Sequence, residues 1–158
     1  MTQRGVAAVL LGAGWLVSVL LGGCGGNSSG TPVIAAGDAV VGATAMTDAA
    51  AYLTVDNPGA SDRLVGVTSP DARSVTMHTT ETLGAATAML RVDSLEVPAA
   101  GSLRFEPGGD HLMLEGLHEP VEVGDVIRLR LTFEHAGSVD VAATAVPLQE
   151  LPERIARR

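Results

Sequence analysis

The sequence predicts an all-β fold, an antiparallel sandwich or barrel. Three observations carry this. Short apolar runs recur at roughly ten-residue spacing, with turn residues between them. The run Ile127-Arg128-Leu129-Arg130-Leu131-Thr132-Phe133 alternates apolar and polar side chains, the period of a half-buried strand. No window holds a convincing period of 3.6 residues.

Taken in order, Tyr52-Leu53-Thr54-Val55 reads as a strand ending at Asn57-Pro58-Gly59. Arg63-Leu64-Val65-Gly66-Val67 ends at Ser69-Pro70-Asp71. Val75-Thr76-Met77-His78, Ala88-Met89-Leu90-Arg91-Val92 and Leu95-Glu96-Val97 follow, the last stopped by Pro98. Leu103-Arg104-Phe105 ends at Pro107-Gly108-Gly109, and Leu112-Met113-Leu114 comes next. After the alternating run, His135-Ala136-Gly137-Ser138 turns the chain into Val139-Asp140-Val141-Ala142-Ala143. Eight or nine strands result. The alanine-rich stretch from Ala43 to Ala51 reads better as strand and turn than as helix.

Composition narrows the function. The 158 residues carry a formal charge of −8 and only 3% aromatic residues. That balance argues against nucleic acid, whose phosphates require a basic patch. All ten basic residues are Arg; without Lys there is no Walker-type phosphate loop and no Schiff base. A single Cys rules out an internal disulfide framework and a thiolate cluster for zinc or iron–sulfur. No Ser/His/Asp arrangement or carboxylate pair is legible, so an enzyme is not expected.

The first 23 residues read as a targeting segment. Arg4 precedes an uncharged run from Val6 to Leu21, and Leu21-Gly22-Gly23-Cys24 follows. The run is short for a spanning helix, which needs about 20 residues. The small residues ending at Cys24 resemble the lipobox of bacterial lipoproteins. That resemblance implies lipidation of Cys24, with the rest of the chain outside the cytoplasm and held at a membrane of the cell envelope. Residues 24–37 read as a small, polar tether, 38–146 as the folded domain and 147–158 as a short charged C-terminal tail, at most one frayed helical turn.

His111-Leu112-Met113 is the first hint of chemistry. On a strand, positions i and i+2 share a face, so an imidazole and a thioether would stand about 7 Å apart. That donor pair suits Cu(I) better than a hard cation. With His78 and Met89 the spacing becomes H-x10-M-x21-H-x-M. This motif resembles the ligand signature of the PCuAC periplasmic copper chaperones. The surroundings agree: Asp62-Arg63-Leu64-Val65-Gly66-Val67-Thr68-Ser69-Pro70, Pro107-Gly108-Gly109-Asp110-His111-Leu112-Met113-Leu114-Glu115-Gly116-Leu117 and Leu131-Thr132-Phe133-Glu134-His135-Ala136-Gly137 are similar to family stretches. The likeness covers about Ala45 to Ala145. Two departures stand out: the segment before Met89 lacks the family's extra Met residues, and Asp110 occupies a commonly aromatic place.

The resemblance implies a cupredoxin-like Greek-key fold binding Cu(I) through His78, Met89, His111 and Met113. It implies a partner too: the cytochrome c oxidase subunit carrying the CuA site, or another copper chaperone. Elementary chemistry agrees, since two imidazoles and two thioethers form an uncharged set suited to a soft monovalent ion. A blue-copper electron-transfer site needs a Cys thiolate, and Cys24 sits at the lipid junction. Protons compete for imidazole near pH 6.5, so copper affinity is expected to fall below it.

The remaining candidates have plainer readings. Met77, next to His78, points to the opposite face as core, and Met46 is core near a strand end. His118 and His135 sit in exposed turns, and Asp110 is surface charge unless it orients an imidazole. Tyr52, Phe105 and Phe133 are core anchors. The competing function is a metal-free β-sandwich lipoprotein that acts as an envelope interaction module.

Overall fold

The computed structural model describes residues 31–83 and 86–157. The expected targeting segment, Cys24 and the first half of the expected tether lie outside the described residues. Among the described residues, no helix is long and apolar enough to cross a membrane.

Among the described residues, twelve strands form two sheets. The smaller sheet joins β1 (Ala35–Ala36), β4 (Thr54–Asn57) and β9 (Gly101–Arg104), in the order β1-β4-β9. The larger is built from β2 (Ala39–Gly42), β3 (Asp48–Tyr52), β5 (Asp62–Thr68), β6 (Ala72–Leu83), β7 (Ala86–Val92), β8 (Leu95–Val97), β10 (His111–Leu117), β11 (Val126–Phe133) and β12 (Gly137–Val146). Its order is β7-β6-β10-β3-β2-β12-β11-β5-β8. Every pair is antiparallel except β12 with β2. Neighbours remote in sequence, such as β3 beside β10 and β5 beside β11, give the crossover connectivity of Greek-key sandwiches. Val55, Leu103 and Phe105, on and beside the small sheet, share one buried cluster with Leu64, Leu112, Leu114, Leu129 and Leu131 of the large one.

Local chemistry explains where the chain departs from the expected strands. Tyr52 to Val55 is not one strand: at fully buried Leu53 the chain steps from the large sheet to the small one. The Leu53 carbonyl there accepts from the Phe105 amide at 2.9 Å. β2 was not anticipated because all four of its residues are buried, so it lacks the alternation of a half-buried strand. The described residues of the expected tether join the fold. Val33 donates its amide to the buried Asn57 side chain at 3.2 Å, and Ala35–Ala36 pairs with β4. The C-terminal segment holds the short helical turn that its sequence allows, packed rather than frayed. A 3-10 turn (Leu148–Glu150) leads into α1 (Leu151–Ala156), whose Leu151 is buried against Val40 and Val146.

The β11–β12 hairpin closes through a Glu134–Ala136 turn into Gly137, whose φ of 81° lies in the left-handed region that glycine adopts without strain. Asp62 stabilises that turn. Its side chain is fully buried, and the carboxylate accepts the amides of Arg63, His135 and Ala136 together with the His135 ring.

Candidate metal centre

The site lies on the three strands β7, β6 and β10. β6 and β10 run antiparallel with His78 opposite His111 and Thr76 opposite Met113. β6 and β7 pair His78 with Arg91 and Thr80 with Met89. Because side chains alternate along a strand, Thr76, His78, Thr80, His111, Met113, Met89 and Arg91 all stand on one face. Met77 and Leu112 point the other way and are buried in the core, as expected for Met77. The four sequence-predicted donors, His78, Met89, His111 and Met113, therefore share one contiguous patch. Met89 is a diagonal neighbour of His78, within reach of a long side chain.

The donors grade from core to solvent. His111 is 5% exposed, His78 and Met113 are half-buried, and Met89, on the edge strand β7, is 64% exposed. The two imidazole centroids lie 5.5 Å apart with their planes tilted by 37°. Among the described residues no three His, Cys, Asp or Glu side chains gather as a metal site, so this patch owes half its donors to thioethers.

Hydrogen bonds set the rings. The Pro107-Gly108-Gly109 turn, with Gly108 at a φ of 81°, aims the Gly109 carbonyl at Nδ1 of His111, 3.1 Å away. A carbonyl only accepts, so Nδ1 carries the proton and Nε2 keeps its lone pair. Thr80 donates its hydroxyl to the same carbonyl at 3.0 Å. Nε2 of His78 lies 3.0 Å from Oγ1 of Thr76. Burial holds the His78 pKa below the ordinary imidazole value; the neighbouring His111 lowers it further, Glu115 opposes, and Arg91 lowers it again.

Other sequence candidates lie elsewhere. Asp110 does not orient the His111 ring, which bonds the Gly109 carbonyl instead. His118 follows the far end of β10, beside the Asp71 carbonyl, about 20 Å along the strand from His111. His135 is exposed as expected, with its ring 3.1 Å from the Asp62 carboxylate. Met46 is not core: it is 74% exposed, in a bend where its amide donates to the Thr44 hydroxyl. Phe105 and Phe133 are core; Tyr52 is half-buried, packed with Val40, Val146 and Leu151. Sequence reasoning missed Thr76, Thr80, Glu115 and Arg91. The signal was present, since each sits two or four residues along a strand from a candidate donor, or opposite one, but reading it requires the strand register.

Comparison with known proteins identifies the family and the fold. Residues 34–145 match the family described as "Putative lipoprotein LpqE-like". The "Putative lipoprotein Lxx21020" of Leifsonia xyli subsp. xyli is 37% identical over 103 residues, covering 64% of this chain. The chain spans 60% of the length of that relative. Among solved structures, the copper-bound PCuAC domain from PmoF2 superposes with a TM-score of 0.62 at 31% identity, covering 74% of this chain and 95% of that one. The solution structure of CuI-DR1885 from Deinococcus radiodurans gives 0.61 at 33% identity, covering 78% and 84%. With the family match running through nearly all the strands, and PCuAC structures sharing the same all-β, cupredoxin-like sandwich, the chain belongs to the LpqE-like family and its folded part is a PCuAC domain.

Proposed function

We propose that this protein is an extracytoplasmic Cu(I) carrier, anchored to the membrane through a lipid on Cys24, with His78, Met89, His111 and Met113 holding the cargo ion. The observation that carries the reading is the placement of two imidazoles and two thioethers on one face of β7, β6 and β10. Such a donor set is neutral and soft, and it suits a cuprous ion better than a divalent one. Similarity to a copper-bound PCuAC domain and to CuI-DR1885 supports the same ion.

The gradient of exposure supports carriage rather than storage. The His111 donor is rooted in the core, whereas Met89 on the edge strand is open to an approaching partner. A recipient's ligand can replace Met89 first, then Met113 and the imidazoles, without the ion entering water. The recipient we infer is the CuA-bearing subunit of cytochrome c oxidase, or a further copper chaperone. Four donors leave the ion no open position for a substrate, so the reading is a carrier and not an enzyme.

Anaerobic titration of the purified protein with Cu(I) against a chromogenic chelator tests the reading. One tight equivalent is expected, lost in the His111→Ala/Met113→Ala double variant. No competition by the wild type would leave a metal-free sandwich acting as an interaction module. Transfer is tested by mixing the loaded protein with the isolated CuA domain and following the copper spectroscopically.

A further inference from the structure

We propose that Thr76 and Glu115 are positioning residues that fix the tautomer of His78, so that His78 offers Nδ1 to the metal while His111 offers Nε2. The role in metal binding rests on the copper reading above; the tautomers themselves are properties of the metal-free protein.

The argument starts at Glu115. It stands two residues beyond Met113 on β10, opposite Ser74 of β6. Ser74 donates its hydroxyl to Oε2 of Glu115 at 3.0 Å, and Thr76 lies 3.4 Å from Oε1. A carboxylate only accepts hydrogen bonds, and it is a stronger acceptor than a neutral ring nitrogen. Thr76 has one hydroxyl proton, and that proton goes to Glu115. What Thr76 turns toward His78 is then a lone pair. Nε2 of His78, 3.0 Å away, must supply the proton of that bond. A neutral imidazole protonated at Nε2 carries its lone pair on Nδ1. Thr76 is 5% exposed, so water does not compete for its hydroxyl.

His111 is wired the opposite way. Its Nδ1 proton is held by the Gly109 carbonyl, which leaves Nε2 free. Two imidazoles directly opposite each other in one ladder thus present different nitrogens. One is set by a backbone carbonyl and the other by a hydroxyl relay ending in a carboxylate.

The test uses the full chain, metal-free and labelled with 15N in the histidine rings, at mildly alkaline pH. Long-range 1H–15N correlation is expected to show His78 protonated at Nε2 and His111 at Nδ1. Thr76→Val keeps the side-chain shape and removes the hydroxyl. It should give His78 a mixed tautomer and weaken Cu(I) binding by about 10–100-fold, the usual cost of losing an outer partner of a ligand. Thr76→Ser should restore both. Glu115→Ala frees the Thr76 proton for Nε2 and should move His78 toward the Nδ1–H form. His111 keeps its tautomer throughout and reports that the fold is intact.

A wild type with Nδ1 of His78 protonated, or a Thr76→Val protein whose His78 tautomer is unchanged, overturns the proposal. The ring spectra need no metal. A wild type that shows the expected tautomers but takes no Cu(I) would defeat the carrier reading while leaving the tautomer assignment standing. A wild type that binds Cu(I) with His78 in the Nδ1–H form would do the reverse.

Discussion

His78 and His111 face each other across the β6–β10 ladder, with ring centroids 5.5 Å apart. Neither ring is free to choose its orientation, because Thr76 and the Gly109 carbonyl each hold one nitrogen. The pair therefore comes ready-made, and ordering it costs little when an ion arrives. Removing either ring should be worse than disturbing a supporting partner. His78→Ala and His111→Ala are each expected to lower Cu(I) affinity by more than the roughly 10–100-fold of an outer-partner loss. His111→Ala should destabilise the metal-free protein as well, since its ring is buried. Chelator competition and denaturant unfolding of the two variants check both statements; an affinity loss confined to one of them would break the symmetry argued here.

Two methionines separate binding from stability. Met89 is 64% exposed on the edge strand, and Met77 is 5% exposed in the core. Met89→Ala should leave unfolding within about 0.5 kcal/mol of wild type, as surface changes do, and should weaken Cu(I) binding. Met77→Ala should cost about 2–5 kcal/mol of stability, as core truncations do, and keep one Cu(I) equivalent. The two residues have the same chemistry and differ in the side of the sheet they occupy. A Met77→Ala protein that folds but takes no copper would place the wrong methionine in the site.

That contrast also marks how far the sequence could be read. Met77 and His78 are adjacent, so period-two alternation alone put them on opposite faces, and the structure agrees. Spacing could also pair His111 with Met113. What spacing could not supply was the register of β10 on β6, which sets His111 opposite His78 and brings Thr76 and Glu115 into the patch. Register is fixed by long-range packing of Leu112, Leu114 and Met77 in the core, not by any local signal. Met46 was misread for a related reason: an apolar side chain beside a strand reads as core unless the bend that turns it outward is visible. Buried Asp62 escaped notice because its value lies in amides from a hairpin that is distant in sequence.

Asp62 makes the fold sensitive to acid. Burial alone would raise its pKa, but the amides of Arg63, Ala136 and His135, with the His135 ring, more than offset this and hold it below the usual value of 3.8. A carboxylate with a depressed folded pKa contributes stability that is present above its unfolded pKa. That contribution is lost as pH falls through the lower folded value. Asp62→Asn should cost about 1–3 kcal/mol near neutral pH, because the Asn side chain turns a donor toward one of the N–H groups that the carboxylate satisfied. The gap between variant and wild type should shrink below pH 3.8. Denaturant unfolding across the acid range measures it, and a gap that stays constant would remove Asp62 as the cause.

The pH dependence of copper binding should follow the lone pairs on the two rings. Protonating an imidazole removes a donor, so affinity falls where His titrates. Burial and the neighbouring His111 hold the His78 pKa below its ordinary 6.5, and the opposing Arg91 pushes in the same direction. The proton therefore competes for His78 only at pH values below 6.5. The part of the Cu(I) affinity that His78 contributes should be level through neutral pH and weaken under acid conditions. Arg91 is exposed and stands opposite His78, so Arg91→Gln takes away a positive charge that disfavours the imidazolium. The variant should keep its affinity at neutral pH and begin to lose it at a higher pH than wild type. Chelator competition at a series of pH values, with the chelator's own protonation corrected, resolves the two curves. Affinity that holds unchanged well into acid would mean that His78 is not a ligand. An Arg91→Gln curve displaced toward lower pH would mean that its neighbour's charge does not act on it as the geometry requires.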